Sequence, residues 1–451
     1  MASETGTDVL TPEGVTAQLN GDTVELSGSG DPEWLMERRR QAWEIYEQTP
    51  MPTTKLEEWR YTDLSKTLKL DSLEAVERNR RTVPPDQLPE SVQQTMAADQ
   101  AAAGRVVVLD GTVVHVDLSS ELAAKGVKLA SLRDAVERFP DLVRDHLAVA
   151  ALPPEEGKFQ ALNAALWTDG VLLHVPRGVR LERPVRVTRH VSEAGKAVFS
   201  RTLIVADEAS QVSFVEEVIS PNLDAQSLVS SAVEIIAKDG AQLQYVGLQR
   251  MGRGAFALSQ QRTLAYRDST LDTLNVSLGA SVARVDLHAR LLGPGANSDM
   301  LGLYFGDDDQ HFHHNTGQDH VAGNARSDLL YKGALDGKSR AVFRGVIKVH
   351  KGAQRTDAYQ TNRNLLLSGS ARADSLPNLE IEADDVRCSH GATVAELDAE
   401  HLFYLMSRGI SRDIAERLVV MGFLGEVLSK LPLQGVVEKV SEAIRLKLRH
   451  G

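Results

Sequence analysis

This sequence predicts a mainly β chain, with a solenoid core preceded by a helical or mixed region and followed by helices. Two observations carry that reading. From about Trp167 onward, short runs of Val, Leu and Ile alternate with small or turn-forming residues, and helical periodicity is nearly absent. Aligning those runs puts Gly178, Ala209, Gly240, Asp268, Gly295, Gly337 and Ser370 in one column, at intervals of about 30 residues with one of about 42. A unit of strand, turn and strand cannot bury its apolar face by itself, so repetition at that period predicts stacked coils. A β-sandwich is the alternative, because short strands with turn signals also fit it.

In chain order, residues 1–30 read as an acidic flexible tail. The first residues up to Glu37 include Glu4, Asp8, Glu13, Asp22, Glu25, Asp31 and Glu33 but no Lys or Arg. Without an apolar stretch this is neither a secretory signal nor an Arg-rich transit peptide, which points to the cytoplasm. Residues 31–166 form the N-terminal helical or mixed region. Asp31-Pro32 precedes Trp34, Leu35, Trp43, Ile45 and Tyr46, predicting a capped amphipathic helix that stops at Pro50 and Pro52. Arg105 to Val114 reads as a hairpin turning at Asp110-Gly111.

The β core spans 167–395, and residues 396–451 return to helical spacing. Asp398 caps a helix through Ser407 with Leu402, Phe403 and Leu405 inward, and Gly409 suits its C-terminal turn. Ser411 opens a second helix carrying Ile414, Leu418 and Met421 and ending at Gly422. A last helix after Pro432 and Gly435 carries Val437, Val440, Ile444 and Leu448, a stripe that either packs on its own domain or docks a partner.

Composition excludes several function classes. No apolar run approaches the ~20 residues of a membrane span. A formal charge of -12 without a compensating basic run disfavours nucleic-acid binding. Cys388 is the one cysteine, so no intrachain disulfide and no self-contained four-thiolate cluster can form. Gly333-Ala-Leu-Asp-Gly337-Lys338-Ser339 resembles a phosphate loop, but it has one residue too few between its glycines and no helix after it, so Gly337 reads as a solenoid turn.

Two constellations remain. The stretch from Asp307 to His320 holds His311, His313, His314 and His320 with Asp307, Asp308, Asp309 and Asp319. On a strand His311 and His313 share a face, so metal binding competes with an ordinary polar solenoid corner. In Asp384-Asp385-Val-Arg387-Cys388-Ser389-His390-Gly391, Cys388 and His390 also share a face. They could ligate one metal together, be a structural pair, or support thiolate nucleophilic chemistry.

These residues carry a resemblance. Asn362-Arg-Asn-Leu-Leu-Leu-Ser, Leu376-Pro-Asn-Leu-Glu-Ile-Glu-Ala-Asp-Asp-Val-Arg-Cys388-Ser-His390-Gly and Leu402-Phe-Tyr-Leu-Met-Ser-Arg-Gly-Ile resemble the SufB/SufD family of iron–sulfur cluster assembly proteins. The Cys-Ser-His-Gly form and the early Lys55-Leu-Glu-Glu-Trp-Arg-Tyr-Thr-Asp-Leu are similar to its SufD branch. The resemblance implies a right-handed parallel β-helix and a non-enzymatic scaffold that pairs with a SufB-like subunit through the β-helix. It also implies that the C-terminal helices dock a SufC-like ABC ATPase, to which ATP hydrolysis belongs. A nascent iron–sulfur cluster or iron would sit at the SufB/SufD junction, near Cys388 and with His390 as a ligand shared with the partner. A reduced flavin is associated with such complexes, and no segment here resembles a flavin site. The isolated chain could pair with a second copy. The rival reading is an independent solenoid hydrolase or lyase using His311, His313 and Asp309.

Overall fold

The computed structural model describes residues 19–98, 102–431, 433 and 435–450. The N-terminal region contains helices α1 (Gly21–Ser27), α2 (Glu33–Gln48), α3 (Leu64–Thr67), α4 (Glu90–Ala98), α5 (Ser120–Ala124), α6 (Leu132–Arg138), α7 (Pro140–His146) and α8 (Lys158–Leu166). Strands β1 (Glu74–Ala75), β2 (Gly104–Leu109), β3 (Thr112–Leu118) and β4 (Lys128–Ser131) lie among them. Of the expected acidic tail, residues 1–18 fall outside the described residues. The part that follows departs from expectation: α1 is a helix, because Asn20 and Thr23 form a reciprocal capping box and Val24 is buried in the core. Asp31 does not cap α2. Pro32 holds that position, and the Asp31 carboxylate accepts from Arg39 Nε at 2.9 Å and Arg78 Nη2 at 2.5 Å. Arg39 then donates to the carbonyls of Ala165 and Trp167, tying the region to the first coil.

The core is a β-solenoid of paired strands. Its coils are β5 (Asp169–Val175) with β6 (Val185–His190), β7 (Lys196–Ala206) with β8 (Gln211–Ile219), β9 (Ser227–Ala237) with β10 (Gln242–Arg250), and β11 (Ala255–Ala265) with β12 (Thr270–Ser277). They continue as β13 (Val282–Leu291) with β14 (Asn297–Gly306), β15 (His311–His320) with β16 (Arg326–Leu335), β17 (Arg340–Val349) with β18 (Thr356–Leu366), and β19 (Arg372–Ile381) with β20 (Val386–Glu396). From β5 and β6 onward, odd strands pair in parallel to form one sheet and even strands form the other. Parallel register stacks like on like: Val175, Ala206, Ala237, Ala265, Leu291, His320, Val349 and Ile381 make one inward row. Each coil buries its apolar face against the next, which is why no coil stands on its own.

The turn column needs one correction. Gly178, Ala209, Gly240, Asp268 and Gly295 do lie in one column, all with positive φ, but Asn324 and Arg355 continue it. Backbone hydrogen bonds step from turn to turn along it, as from Gly295 N to Asn324 O and from Asn324 N to Gln354 O. Gly337, and Ser370 one coil on, belong to the opposite edge, where Lys338 N donates to Asp308 O and Ser368 Oγ to Gly337 O. A two-sheet coil has two turns, both accept a left-handed residue, and crossing from one column to the other produced the long interval.

The two outer faces are covered differently. Trp59, Phe159 and Leu166 of the N-terminal region pack with Phe199, Leu228 and Phe256 on the odd sheet. The C-terminal helices α9 (Ala399–Ser407), α10 (Arg412–Lys430) and α11 (Val436–His450) follow the solenoid, and α10 and α11 lie on the even sheet. There Val420, Leu424, Val427, Val440 and Ile444 meet Leu274, Val276, Leu301 and Leu303. Each such buried side chain contributes roughly 1.5–3 kcal/mol of transfer free energy. Helix α10 runs through Gly422, where an added Cβ would meet nothing, so that glycine is no terminator. The expected inward faces are also rotated. Of Leu402, Phe403 and Leu405 only Leu402 is buried, and Ile414 and Leu418 lie on the solvent side of α10.

Candidate functional site at the open end of the solenoid

The two ends of the solenoid are built differently. At the first coil, β4 adds antiparallel to β5, β2 adds beside β6, and β3 closes on β2 through the positive-φ turn Asp110-Gly111. At the last coil, among the described residues, β19 pairs only with β17 and β20 only with β18. Their outer edges present unpaired backbone donors and acceptors. Leu379, Ile381 and Val394 would be core residues had another coil followed, and here they are 36%, 40% and 44% exposed.

Cys388 and His390 are on β20, opposite Ala358 and Gln360 of β18. Strand periodicity puts both on the face that points between the sheets. Cys388 is half-buried against Ile347, Ala358 and Ala383, and burial pushes its thiol up from the ordinary value. Without a cation beside it the sulfur is a weak nucleophile at neutral pH, which weakens the reading as a catalytic thiol. His390 is exposed near the rim. At this place the chain offers one thiol and one imidazole, fewer than the four ligands of a cluster or a tetrahedral ion.

The histidine-rich stretch is β15, and the structure separates its members. His311 and His313 point outward, where the Thr62 hydroxyl bridges His311 Nε2 at 2.9 Å and His313 Nδ1 at 2.7 Å. Arg284 Nη1 donates to the same His313 Nδ1 at 2.9 Å. His314 points inward, stacked on Tyr304 with ring centroids 4.6 Å apart and hydrogen-bonded with Ser277 Oγ at 3.2 Å. His320 is also inward, 2.8 Å from Ser327 Oγ. Asp309 sits exposed in the turn before β15. Burial holds these imidazoles neutral: His311 and His320 are pushed down to about 4, His314 to about 3, and His313 well below its ordinary value. The four imidazoles of His311, His313, His314 and His320 do not converge: alternation along the strand sends the first two to one face and the last two to the other, and each has a protein partner. Among the described residues no group of three or more His, Cys, Asp or Glu is arranged to hold a metal ion. The Gly333–Ser339 segment runs from β16 through a turn into β17, with Gly337 at positive φ and no helix following.

Sequence reasoning missed a second surface. On α9 and the start of α10, Phe403 is 74% exposed and Tyr404, Met406, Ile414 and Leu418 are exposed with it. The signal was in Leu402-Phe-Tyr-Leu-Met406, a run too apolar for one buried stripe. No helix among the described residues is long and apolar enough to cross a membrane.

Comparison with known proteins agrees with this architecture. Residues 188–423 match the family described as SUF system FeS cluster assembly, SufBD core domain, and residues 19–187 match the SufBD protein N-terminal region. The iron-sulfur cluster assembly protein SufD of Bacillus subtilis is 31% identical over 424 residues, covering 93% of this chain and 95% of its own length. SufB of the same organism is 29% identical over 419 residues, covering 90% of this chain and 88% of its own. A SufBD family protein of Staphylococcus epidermidis is 28% identical over 417 residues, with the same coverages. The chain belongs to the SufB/SufD family of iron–sulfur cluster assembly proteins.

Proposed function

We propose that this chain is a SufD-type, non-enzymatic scaffold that pairs through its last coil with a SufB-like subunit and contributes His390 to a nascent iron–sulfur cluster at the junction. The observation that carries the reading is the unfinished end of the solenoid, where free strand edges, exposed Ile381 and Val394, and the Cys388–His390 pair coincide. A surface with both open hydrogen-bonding edges and exposed would-be core residues is suited to a permanent partner. The single cysteine favours the SufD role over the SufB role, since a subunit holding the cluster by itself needs more thiolates. The exposed Phe403, Tyr404 and Ile414 patch is suited to docking the SufC-like ATPase, which would supply the nucleotide site that this chain's Gly333–Ser339 turn cannot. The independent hydrolase reading is not favoured, because Asp309, His311 and His313 build no site.

The test is co-purification with SufB-like and SufC-like partners, wild type against His390→Ala, followed by anaerobic reconstitution and measurement of iron and sulfide. The expected result is an intact complex whose cluster content falls several-fold in the variant. Normal cluster content in both His390→Ala and Cys388→Ala complexes refutes the assignment of the site.

A further inference from the structure

A groove of about 630 Å³ runs between the Thr49–Trp59 segment, the start of α8 and the outer face of the odd sheet, from β11 to Glu380 of β19. Its size suits a small organic molecule. Its carboxylates are mostly committed. Glu156 and Asp286 accept from Arg262 at 2.7 and 3.1 Å, and Asp319 accepts from Arg290 at 3.2 Å while facing His350 Nε2 at 2.7 Å.

Two arginines lining the groove are not matched in this way. Arg284 is fully buried, with its guanidinium 3.7 Å over the Trp59 ring. Its Nη1 donates to the Glu58 carbonyl at 2.8 Å and to His313 Nδ1, both uncharged, and its Nε has no partner. Arg344 donates from Nη1 to Asn315 Oδ1 at 3.1 Å; its buried Nε has no hydrogen-bond acceptor, and the nearest carboxylate, on Glu57, is 3.6 Å away on an exposed side chain. Burial holds the Arg284 guanidinium below its ordinary value, at about 10; the charges of Asp286 and Glu58 favour its cation and that of Arg344 opposes it. A buried guanidinium donor left without an acceptor is costly, and a guanidinium edge with a free Nε matches the two oxygens of a carboxylate or phosphate. Trp59 holds one fork flat and fixed, so little is lost in ordering it.

We propose that this groove binds a small organic oxyanion, a carboxylate or a phosphate monoester, held between the guanidinium groups of Arg284 and Arg344. The test uses the full chain at constant ionic strength, with thermal melting and calorimetric titration against glycerol phosphate, citrate, inorganic phosphate and chloride. One organic anion should raise the melting temperature by several degrees with saturation, and comparison of glycerol phosphate with citrate assigns the phosphate or the carboxylate class. Arg344→Gln should keep the fold by circular dichroism and weaken that binding at least tenfold, and Arg284→Met should do the same where it folds. Equal shifts with all four salts, or binding unchanged in Arg344→Gln, overturns the proposal.

Discussion

Acidification separates a structural from a metal-binding histidine cluster, and its size can be worked from the burial of β15. His311, His314 and His320 are held neutral in the fold, their proton affinities depressed by burial from 6.5 to about 4, about 3 and about 4, and His313 is depressed in the same direction. The unfolded chain protonates them near 6.5. Below that value the unfolded state binds more protons than the native one, so stability falls as pH falls and is flat above about 7. At pH 5 His311, His314 and His320 cost about 2 kcal/mol each, about 6 kcal/mol together, and His313 acts in the same sense. Asp169 and Asp272 act in the opposite sense. Burial raises both to about 6, so between 6 and 4 the native state binds the extra proton, returning about 1.4 kcal/mol each at pH 5. The net loss of about 3 kcal/mol, before the contribution of His313, is a sizeable part of the 5–15 kcal/mol typical of a folded domain. Urea midpoints at pH 7.5, 6.5, 5.5 and 5.0 should therefore fall steeply below 6.5, and His314→Gln should show a shallower pH slope than wild type. Added zinc should leave the midpoint at pH 7.5 unchanged. A flat profile down to pH 5, or a zinc-dependent rise that His314→Gln abolishes, refutes the assignment of these histidines as buried structural groups.

Three further outcomes follow from the packing. Phe403→Ser with Ile414→Ser removes exposed apolar surface, so urea stability should change by less than about 0.5 kcal/mol while a pull-down of the SufC-like ATPase is lost; retained capture would place the docking surface elsewhere. Gly302→Ala puts a Cβ 2.2 Å from the fully buried Tyr331 ring, so overpacking should cost about 1–3 kcal/mol by urea melting, and a neutral result would mean that the edge-to-face packing of Tyr331 on His314 is loose. Ile381→Ser should barely alter the isolated chain yet weaken pairing with the SufB-like subunit, whereas Val349→Ser, one coil earlier in the same row and fully buried, should destabilise the chain by about 1–3 kcal/mol. Equal effects of those two substitutions on the isolated chain would argue that the last coil is covered.

The solenoid was legible because parallel stacking repeats the same demand every coil: an apolar inward row and a residue tolerant of positive φ at each turn. The slip from Gly295 to Gly337 marks what the pattern does not encode, namely which of two equivalent turns a residue occupies. Asp308 and Asn324 carry the same backbone conformation on opposite edges. Helix faces were less legible. The apolar residues of α9 and α10 surround most of the helix, so spacing by itself could not say that Ala415 and Val420 face the sheet while Ile414 and Leu418 face solvent. The Asp307–His320 stretch was misleading for the opposite reason. Its composition suggested convergence, but alternation along β15 distributes His313 and His314 to opposite faces, and their partners Thr62, Arg284 and Ser277 come from distant parts of the chain.

The asymmetry of the two ends links fold to function. A parallel solenoid must dispose of two open edges at each end, or it invites aggregation. This chain uses β2, β3 and β4 to close the first coil and leaves the last coil bare. Had stability been the sole requirement, a capping strand or helix after β20 would have cost little, yet α10 and α11 cross to the even sheet instead, and among the described residues Ile381 and Val394 stay exposed. The only cysteine is placed on that same strand, its thiol protonated by burial and so protected until a metal or a partner's charge draws the proton away. An isolated chain with those properties is chemically quiet. On the proposed function, ligation would become possible only when a second subunit completes both the sheet edges and the ligand set, so cluster building would be coupled to assembly.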